Sequence, residues 1–146
     1  MDDKVQTRQV ASAKAYFEKI DNGALPLELF TRDFEFYFPK YGVGRGPEEF
    51  REFAAGLWGA GLKSQHHRDE LKFMVSGHHV IVEGATTGSD ASGRTWDGGK
   101  TPGGRFCSVF DFTDDVLISR MFIYLDPDYT SLDADRFHWK RASARW

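Results

Sequence analysis

The order of the periodic segments constrains the fold of this chain more than any other feature. Apolar residues recur every three or four positions over residues 4–21 and predict a helix. A short helix is predicted over residues 25–30, and a third begins at Pro47, a residue suited to a first helical turn. After residue 70 most patterns are those of strands. Helices followed by a run of strands indicate an α+β fold rather than an alternating α/β fold.

The first strand pattern contains Phe34, Phe36 and Phe38, which alternate with period two and share one face. Four later strands are predicted over residues 70–75, 80–88, 105–112 and 116–125. The glycine-rich residues 90–104 predict a hairpin loop. We therefore expect one domain over residues 1–146, in which a curved antiparallel sheet and three N-terminal helices enclose a pocket.

Charge and hydropathy narrow the classes of partner. The net charge is −3 and no basic run exceeds a pair, which argues against nucleic acid because phosphate binding needs clustered Lys and Arg. No apolar stretch approaches the roughly 18 residues of a membrane span. The first residues lack the basic flank and apolar run of a signal peptide, so a cytoplasmic protein is expected. His66-His67 and His78-His79 are adjacent pairs that diverge in a strand, so no metal site is predicted.

Aromatic residues make up 15% of the chain, and their large rigid side chains build both cores and pocket walls. We expect a pocket for a small hydrophobic or aromatic molecule, in which Tyr16 or Tyr124 holds a ligand oxygen. The wall residues predicted for it are Phe34, Phe36, Phe38, Trp58, Phe110 and Phe122. The polar tail from Asp126 ends with Phe137, Trp139 and Trp146, and either lies across the pocket mouth or is loosely ordered.

Several segments resemble a known superfamily. Residues 16–23 and 29–33 resemble the opening of ketosteroid isomerases and scytalone dehydratases, and residues 64–67 and 76–84 are similar to the middle of SnoaL-like proteins. Residues 103–106 and 123–126 resemble their last strands. The resemblance, over residues 10–130, implies the cone-shaped fold of nuclear transport factor 2-like (cystatin-like) proteins. That fold hosts isomerases, dehydratases, hydrolases, cyclases and non-catalytic binders.

The match to ketosteroid isomerases is partial. Tyr16 falls on their oxyanion-binding tyrosine, which implies that it polarises a substrate carbonyl. Phe38 falls on the general base and Ser108 on the acidic oxyanion donor, so Ser108 is expected at the pocket. A phenyl ring cannot move a proton, so isomerisation by the steroid mechanism is not expected.

The match to scytalone dehydratases is better, although Phe38 stands where those enzymes have a tyrosine. Asp21 falls on the aspartate that orients a catalytic histidine, and His66 falls on that histidine. Histidine is the side chain best suited to proton transfer at neutral pH, and a carboxylate on its other nitrogen fixes the tautomer. Asp126 resembles an aspartate near the end of the last strand in limonene epoxide hydrolases and SnoaL-like cyclases.

Each of these residues also has a structural interpretation. Asp21 and Asp126 are typical of turns or helix ends, His66 of a satisfied structural histidine, and Tyr16 of packing on a sheet. The leading hypothesis is a lyase or isomerase that acts without a cofactor on a small cyclic or aromatic hydroxy-ketone. The alternatives are a non-catalytic binding domain and a cyclase or hydrolase centred on Asp126.

A homodimer is also expected, by analogy with the superfamily. Strand alternation predicts an apolar outer face on the sheet. That face would contain Val109, Met121, Ile123 and Leu125, opposite Phe110, Phe122 and Tyr124.

Overall fold

The structure is a computed structural model that describes residues 2–136, and within that range the chain forms two α-helices and eight strands. The helices are α1 (Asp3–Asp21) and α2 (Gly46–Gly59). The strands are β1 (Phe30–Phe38), β2 (Gly42–Arg45), β3 (Lys63–His66), β4 (Lys72–Ser76), β5 (His79–Ser89), β6 (Thr95–Asp97), β7 (Arg105–Phe112) and β8 (Ile118–Leu125). The expected α+β class with a curved sheet is confirmed. Phe137, Trp139 and Trp146 lie outside the described residues.

The prediction of a second helix over residues 25–30 is wrong. Residues 25–30 contain only a single 3-10 turn, Leu27–Leu29. Pro26 has ψ 57°, which is not helical, and Phe30 already begins β1, so too few residues are left for an α-helix. The strands β2, β3 and β6 are also additions to the prediction. Each has only three or four residues, a length over which alternation cannot be recognised.

The sheet runs in the order β2-β1-β8-β7-β5-β3, and β4 and β6 also pair with β5. All pairs are antiparallel except β1 with β8, which is parallel and departs from the expected antiparallel meander. The eleven residues of β5 change partners along their length. The first half pairs with β4 and β7, and the second half pairs with β3 and β6. This exchange lets one strand follow both the body and the end of the curved sheet.

The core lies between the inner sheet face and the two helices. Phe17 of α1 and Phe50 of α2 are 1% exposed and pack on rings that project from β1 and β7. Phe34, Phe36 and Phe110 form the centre of this ring cluster. Neither helix in residues 2–136 is long and apolar enough to cross a membrane.

The predicted inner and outer faces are correct for β7 but reversed for β8. Ser108 of β7 is opposite Ile123, and Phe110 is opposite Met121, so Met121, Ile123 and Leu125 share the inner face with the core. Phe122 and Tyr124 therefore project outward. The sequence could not show which residues of β8 face inward, because residues 121–125 are apolar or aromatic on both faces. Without alternating polar and apolar residues, the two faces cannot be told apart.

Gly88 shows how tightly the end of the sheet is packed. A Cβ atom at Gly88 would lie 2.2 Å from the carbonyl oxygen of Lys63 and 2.3 Å from the ring of Trp96. Gly88→Ala should therefore lower the free energy of unfolding by about 1–3 kcal/mol. Gly56→Ala, in α2 with nothing within 4 Å of the added atom, should raise it by about 0.5–1 kcal/mol.

Denaturant unfolding of both variants beside the wild type measures the two changes. Equal stability for Gly88→Ala and the wild type would contradict the close approach of β3 and Trp96 to β5.

Candidate functional site

A cavity of about 140 Å³ lies between the inner sheet face, the two helices and the segment that follows β8. Its wall is mainly apolar. The apolar side chains on it include Ile20, Leu25, Phe38, Phe50, Phe53, Leu57, Trp58, Trp96, Phe106, Ile123 and Leu125. A cavity of about 150 Å³ in another protein interior admits one benzene molecule. The space here is therefore suited to a compound with one ring.

Five residues predicted for the site do line this cavity, namely Tyr16, Phe38, Trp58, His66 and Ser108. Tyr16 and Ser108 are 5% and 1% exposed, so their hydroxyl groups face an enclosed space rather than solvent. Polar groups are few in this apolar wall. Such an arrangement orients a small ligand by a few hydrogen bonds.

Asp21 and His66 make the contact predicted between them. The Nδ1 atom of His66 lies 2.6 Å from Oδ1 of Asp21. The backbone N–H of His66 donates to both carboxylate oxygens at 3.2 Å. A carboxylate only accepts, so the hydrogen lies on Nδ1 and the lone pair of the neutral ring lies on Nε2. No residue among 2–136 bonds Nε2, and the ring lines the cavity.

The Asp21 carboxylate is buried at the end of α1, with its side chain 1% exposed. Nε of Arg68 lies 3.6 Å from Oδ2 and supplies a positive charge on the side away from the cavity. The side-chain amide of Gln65 donates to the backbone carbonyl of Asp21 at 2.8 Å. The helix end and strand β3 are thus bonded together at one residue, which holds the His66 ring in place.

The imidazole ring of His66 is held between two aromatic rings. Its centroid lies 4.8 Å from that of Phe17 and 5.1 Å from that of Phe106, both in edge-on geometry. His67 points the other way and contacts Thr87 and Asp97 on the outside of the sheet. The two adjacent histidines therefore differ in whether they can reach a ligand.

Tyr16 is held edge-on against Phe17, Phe30 and Phe110. Its hydroxyl has no hydrogen-bond partner within residues 2–136. Burial raises the pKa of Tyr16 well above its ordinary value, and the nearby Asp21 charge raises it further. At neutral pH the group is a protonated donor that faces the cavity.

Tyr129 is a cavity residue that the sequence analysis missed. It belongs to the segment after β8, and its ring stacks on Trp96 with centroids 4.6 Å apart and an angle of 27°. Burial raises the pKa of Tyr129 to about 12. The only available signal was a polar tail that follows Asp126-Pro127, which predicts a turn but not where the chain goes afterwards.

Five of the predicted wall residues do not reach the cavity. Phe34, Phe36 and Phe110 are packed in the core behind it, because α1 and α2 cover their rings. Phe122 and Tyr124 lie on the outer sheet face, where both rings pack against Tyr37 in a tilted arrangement, as the reversed phase of β8 requires.

Asp126 also lies outside the cavity, contrary to the expectation of an acidic group there. Its side chain is exposed, and Oδ1 accepts a hydrogen bond of 2.9 Å from the backbone N–H of Asp128. Asp126 therefore forms a turn, which is the structural interpretation that its sequence position allowed. Within residues 2–136 no cluster of three His, Cys, Asp or Glu side chains has the arrangement of a metal site.

Comparison with known proteins agrees with this fold. The profile of the SnoaL-like domain family matches residues 13–121. A candidate polyketide cyclase from Xanthomonas campestris pv. campestris is 18% identical, with a TM-score of 0.71 over 84% of this chain and 93% of that one. An NTF2-like protein from Anabaena variabilis is 20% identical, with a TM-score of 0.65 over 87% and 90% of the two chains.

A third similar structure is TerC, crystallised together with polyporic acid. It is 17% identical, with a TM-score of 0.65 over 82% of this chain and 92% of that one. At these identities the structures show a common fold alone. No protein of curated function matches the chain in sequence.

The raised pKa of Tyr129 predicts how stability falls in alkali. The unfolded phenol ionises near 10.0, and the folded one near 12. Between these values the unfolded chain releases a proton that the folded protein keeps, so the free energy of unfolding falls as the pH rises. Tyr129→Phe should make this fall less steep.

Denaturant unfolding at intervals between pH 9 and pH 12 measures the slope. Tyr41→Phe, at a ring that is 57% exposed, is the matched control and should keep the wild-type slope. A slope that Tyr129→Phe leaves unchanged would show that Tyr129 ionises as freely in the folded protein as in the unfolded chain.

Proposed function

Since the chain belongs to the SnoaL-like domain family, we propose that it is an acid/base enzyme of the lyase or isomerase kind. Its substrate would be a small cyclic or aromatic hydroxy-ketone, and the reaction would need no cofactor. The observation that carries this proposal is the 2.6 Å contact between Nδ1 of His66 and Asp21, which leaves Nε2 available at an apolar cavity. His66 is the general acid/base, and Asp21 is the residue that orients it.

Dehydration beside a carbonyl group suits these roles. Nε2 of His66 removes the proton on the carbon next to the carbonyl, while the Tyr16 hydroxyl donates to the carbonyl oxygen as it gains negative charge. The imidazolium then protonates the hydroxyl group on the neighbouring carbon. The C–O bond breaks, a C=C bond forms, water leaves, and His66 returns to its neutral form.

The size and composition of the cavity support a substrate with one ring. Its volume of about 140 Å³ is too small for a fused tetracyclic skeleton but is suited to a ring that carries a carbonyl and a hydroxyl group. The apolar wall strengthens the interaction of Asp21 with His66, because the local dielectric constant is low. Candidate polyketide cyclases and a structure with polyporic acid among similar folds support a small organic ligand.

Two observations favour a second function, small-molecule binding without catalysis. Phe38 occupies a wall position where related enzymes have a polar group, and Ser108 offers a hydroxyl where a carboxylate would be expected. The same cavity could therefore hold a ligand without transforming it. The third hypothesis, a cyclase or hydrolase centred on Asp126, has no support from the position of that side chain.

The catalytic hypothesis predicts that turnover depends on His66 far more than on His67. His66→Ala should lower the rate by about 10²- to 10⁴-fold, because it removes the acid/base group. His67→Ala should lose almost nothing, because this ring lies outside the cavity. Asp21→Asn should lower the rate along with His66→Ala, because it keeps the shape of the side chain but weakens control of the tautomer.

The measurement is the rate at which each variant dehydrates single-ring hydroxy-ketones. Circular dichroism first checks that the variants are equally folded. Full turnover by His66→Ala would refute the acid/base role. Tight binding of these compounds with no turnover by the wild type would instead favour the non-catalytic function.

We also propose a homodimer through the outer sheet face. Six apolar residues form one continuous row across six strands of that face, in the order Val43, Tyr37, Phe122, Val109, Ile81 and Met74. A polar row that includes Arg45, Glu35, Arg120, Asp111 and His79 runs beside it. A two-fold axis through such a face would bury the apolar row of each subunit and pair opposite charges. Of the residues first predicted for this face, Val109 alone lies on it.

Light scattering should therefore give a dimer mass at micromolar concentration. Phe122→Glu, in the middle of the apolar row, should give the monomer mass, because a charge would be buried without a partner. Leu132→Glu, at an exposed apolar side chain in the segment after β8, is the control and should remain dimeric. A monomer mass for the wild type would refute the proposal.

A further inference from the structure

We propose that Tyr129 is a ligand-binding residue, and that it and Tyr16 together donate hydrogen bonds to one oxygen atom of the ligand. The inference rests on the proposed function of the cavity. It adds a second hydrogen-bond donor for the ligand, which lies in the segment after β8. The ligand class is a single-ring compound with a carbonyl oxygen. Four features of the structure support this assignment.

The first feature is the folded path of the segment from Asp126 to Arg136. Asp126 bends the chain through its bond to the N–H of Asp128. The carboxylate of Asp128 accepts from the N–H of Asp133 at 3.2 Å, and its carbonyl accepts from the N–H of Ser131 at 2.9 Å. These bonds fold residues 126–133 into a compact loop and present Tyr129 to the cavity.

The second feature is the close packing of Tyr129 on the loop before β7. A Cβ atom at Gly103 would lie 2.0 Å from the carbonyl oxygen of Tyr129, so only glycine allows the two backbones to approach this closely. The Trp96 ring stacks on the Tyr129 ring. The close approach to Gly103 and the stacking on Trp96 therefore hold Tyr129 in a defined position at the cavity.

The third feature is that two hydroxyl groups line one cavity without a protein acceptor. Neither Tyr16 nor Tyr129 has a hydrogen-bond partner for its hydroxyl among residues 2–136, and both line the cavity. A ligand oxygen would satisfy both donors at once.

The fourth feature is the charge state of the pair. Burial raises the pKa of both phenols, and the charge that an ionised Tyr129 would carry raises that of Tyr16 further. Both therefore remain protonated donors at neutral pH. Two neutral donors aimed at one oxygen favour a carbonyl group, and they favour it more as negative charge develops.

A pair of probes that differ in one oxygen tests the inference. Acetophenone and ethylbenzene have the same ring and nearly the same shape, and only acetophenone has a carbonyl acceptor. Calorimetry measures their dissociation constants with the wild type, Tyr16→Phe, Tyr129→Phe and the double variant. Each single change should weaken acetophenone binding by about three- to tenfold and leave ethylbenzene binding nearly unchanged.

Two further variants separate the hydroxyl from the segment that carries it. Gly103→Ala keeps the Tyr129 hydroxyl but forces the Tyr129 backbone away, so it should weaken acetophenone binding as Tyr129→Phe does. Tyr41→Phe, at an exposed ring off the cavity wall, is the matched control and should bind both probes like the wild type.

The outcomes distinguish this inference from the proposed function. If Tyr16→Phe weakens acetophenone binding and Tyr129→Phe does not, Tyr129 is only part of the wall and the inference is wrong, while the proposed function stands. If neither probe binds the wild type, the cavity is not a site for single-ring ligands, and both fail.

Discussion

The buried carboxylate of Asp21 is the interaction on which both the fold and the proposed chemistry depend. It lies at the last residue of α1 and accepts from the backbone and the ring of His66 at the end of β3. The same contact therefore fixes the helix end against the sheet and selects the tautomer of the imidazole. A structural contact and the proposed catalytic role are combined in one side chain, so substitutions at Asp21 must be interpreted with folding measured separately from rate.

The cavity lies between the inner sheet face and the later turns of both helices, next to the part of that face which the core fills. Phe34, Phe36 and Phe110 fill that part and leave no room for a ligand. Toward the other end of the sheet, the long strand β5 continues to β3 and β6, where Thr86 and Trp96 form the wall. The segment after β8 closes this end. Core and cavity are thus two parts of one aromatic layer between the sheet and the helices, and Phe17 and Phe50 belong to both.

Sequence periodicity predicted the elements whose two faces differ. The amphipathic helix α1 and the strand containing Phe34, Phe36 and Phe38 were recoverable because an apolar face alternates with a polar one. The phase of β8 was not recoverable, since Phe122 and Ile123 are both apolar and only cross-strand register distinguishes them. The contact of Asp21 with His66 joins residues far apart in sequence, and resemblance rather than periodicity predicted it.

Asp126 lies outside the cavity, but its side chain forms the turn that precedes Tyr129. Its carboxylate forms a turn, and three residues later the chain places the Tyr129 hydroxyl at the cavity. The polar groups on the cavity wall therefore include one imidazole that can move a proton at neutral pH, together with hydroxyl groups that stay protonated and form hydrogen bonds. With a single acid/base group, the proton that leaves carbon must return from the same atom, Nε2 of His66. A dehydration on this site would accordingly remove hydrogen and hydroxyl from the same face of the substrate.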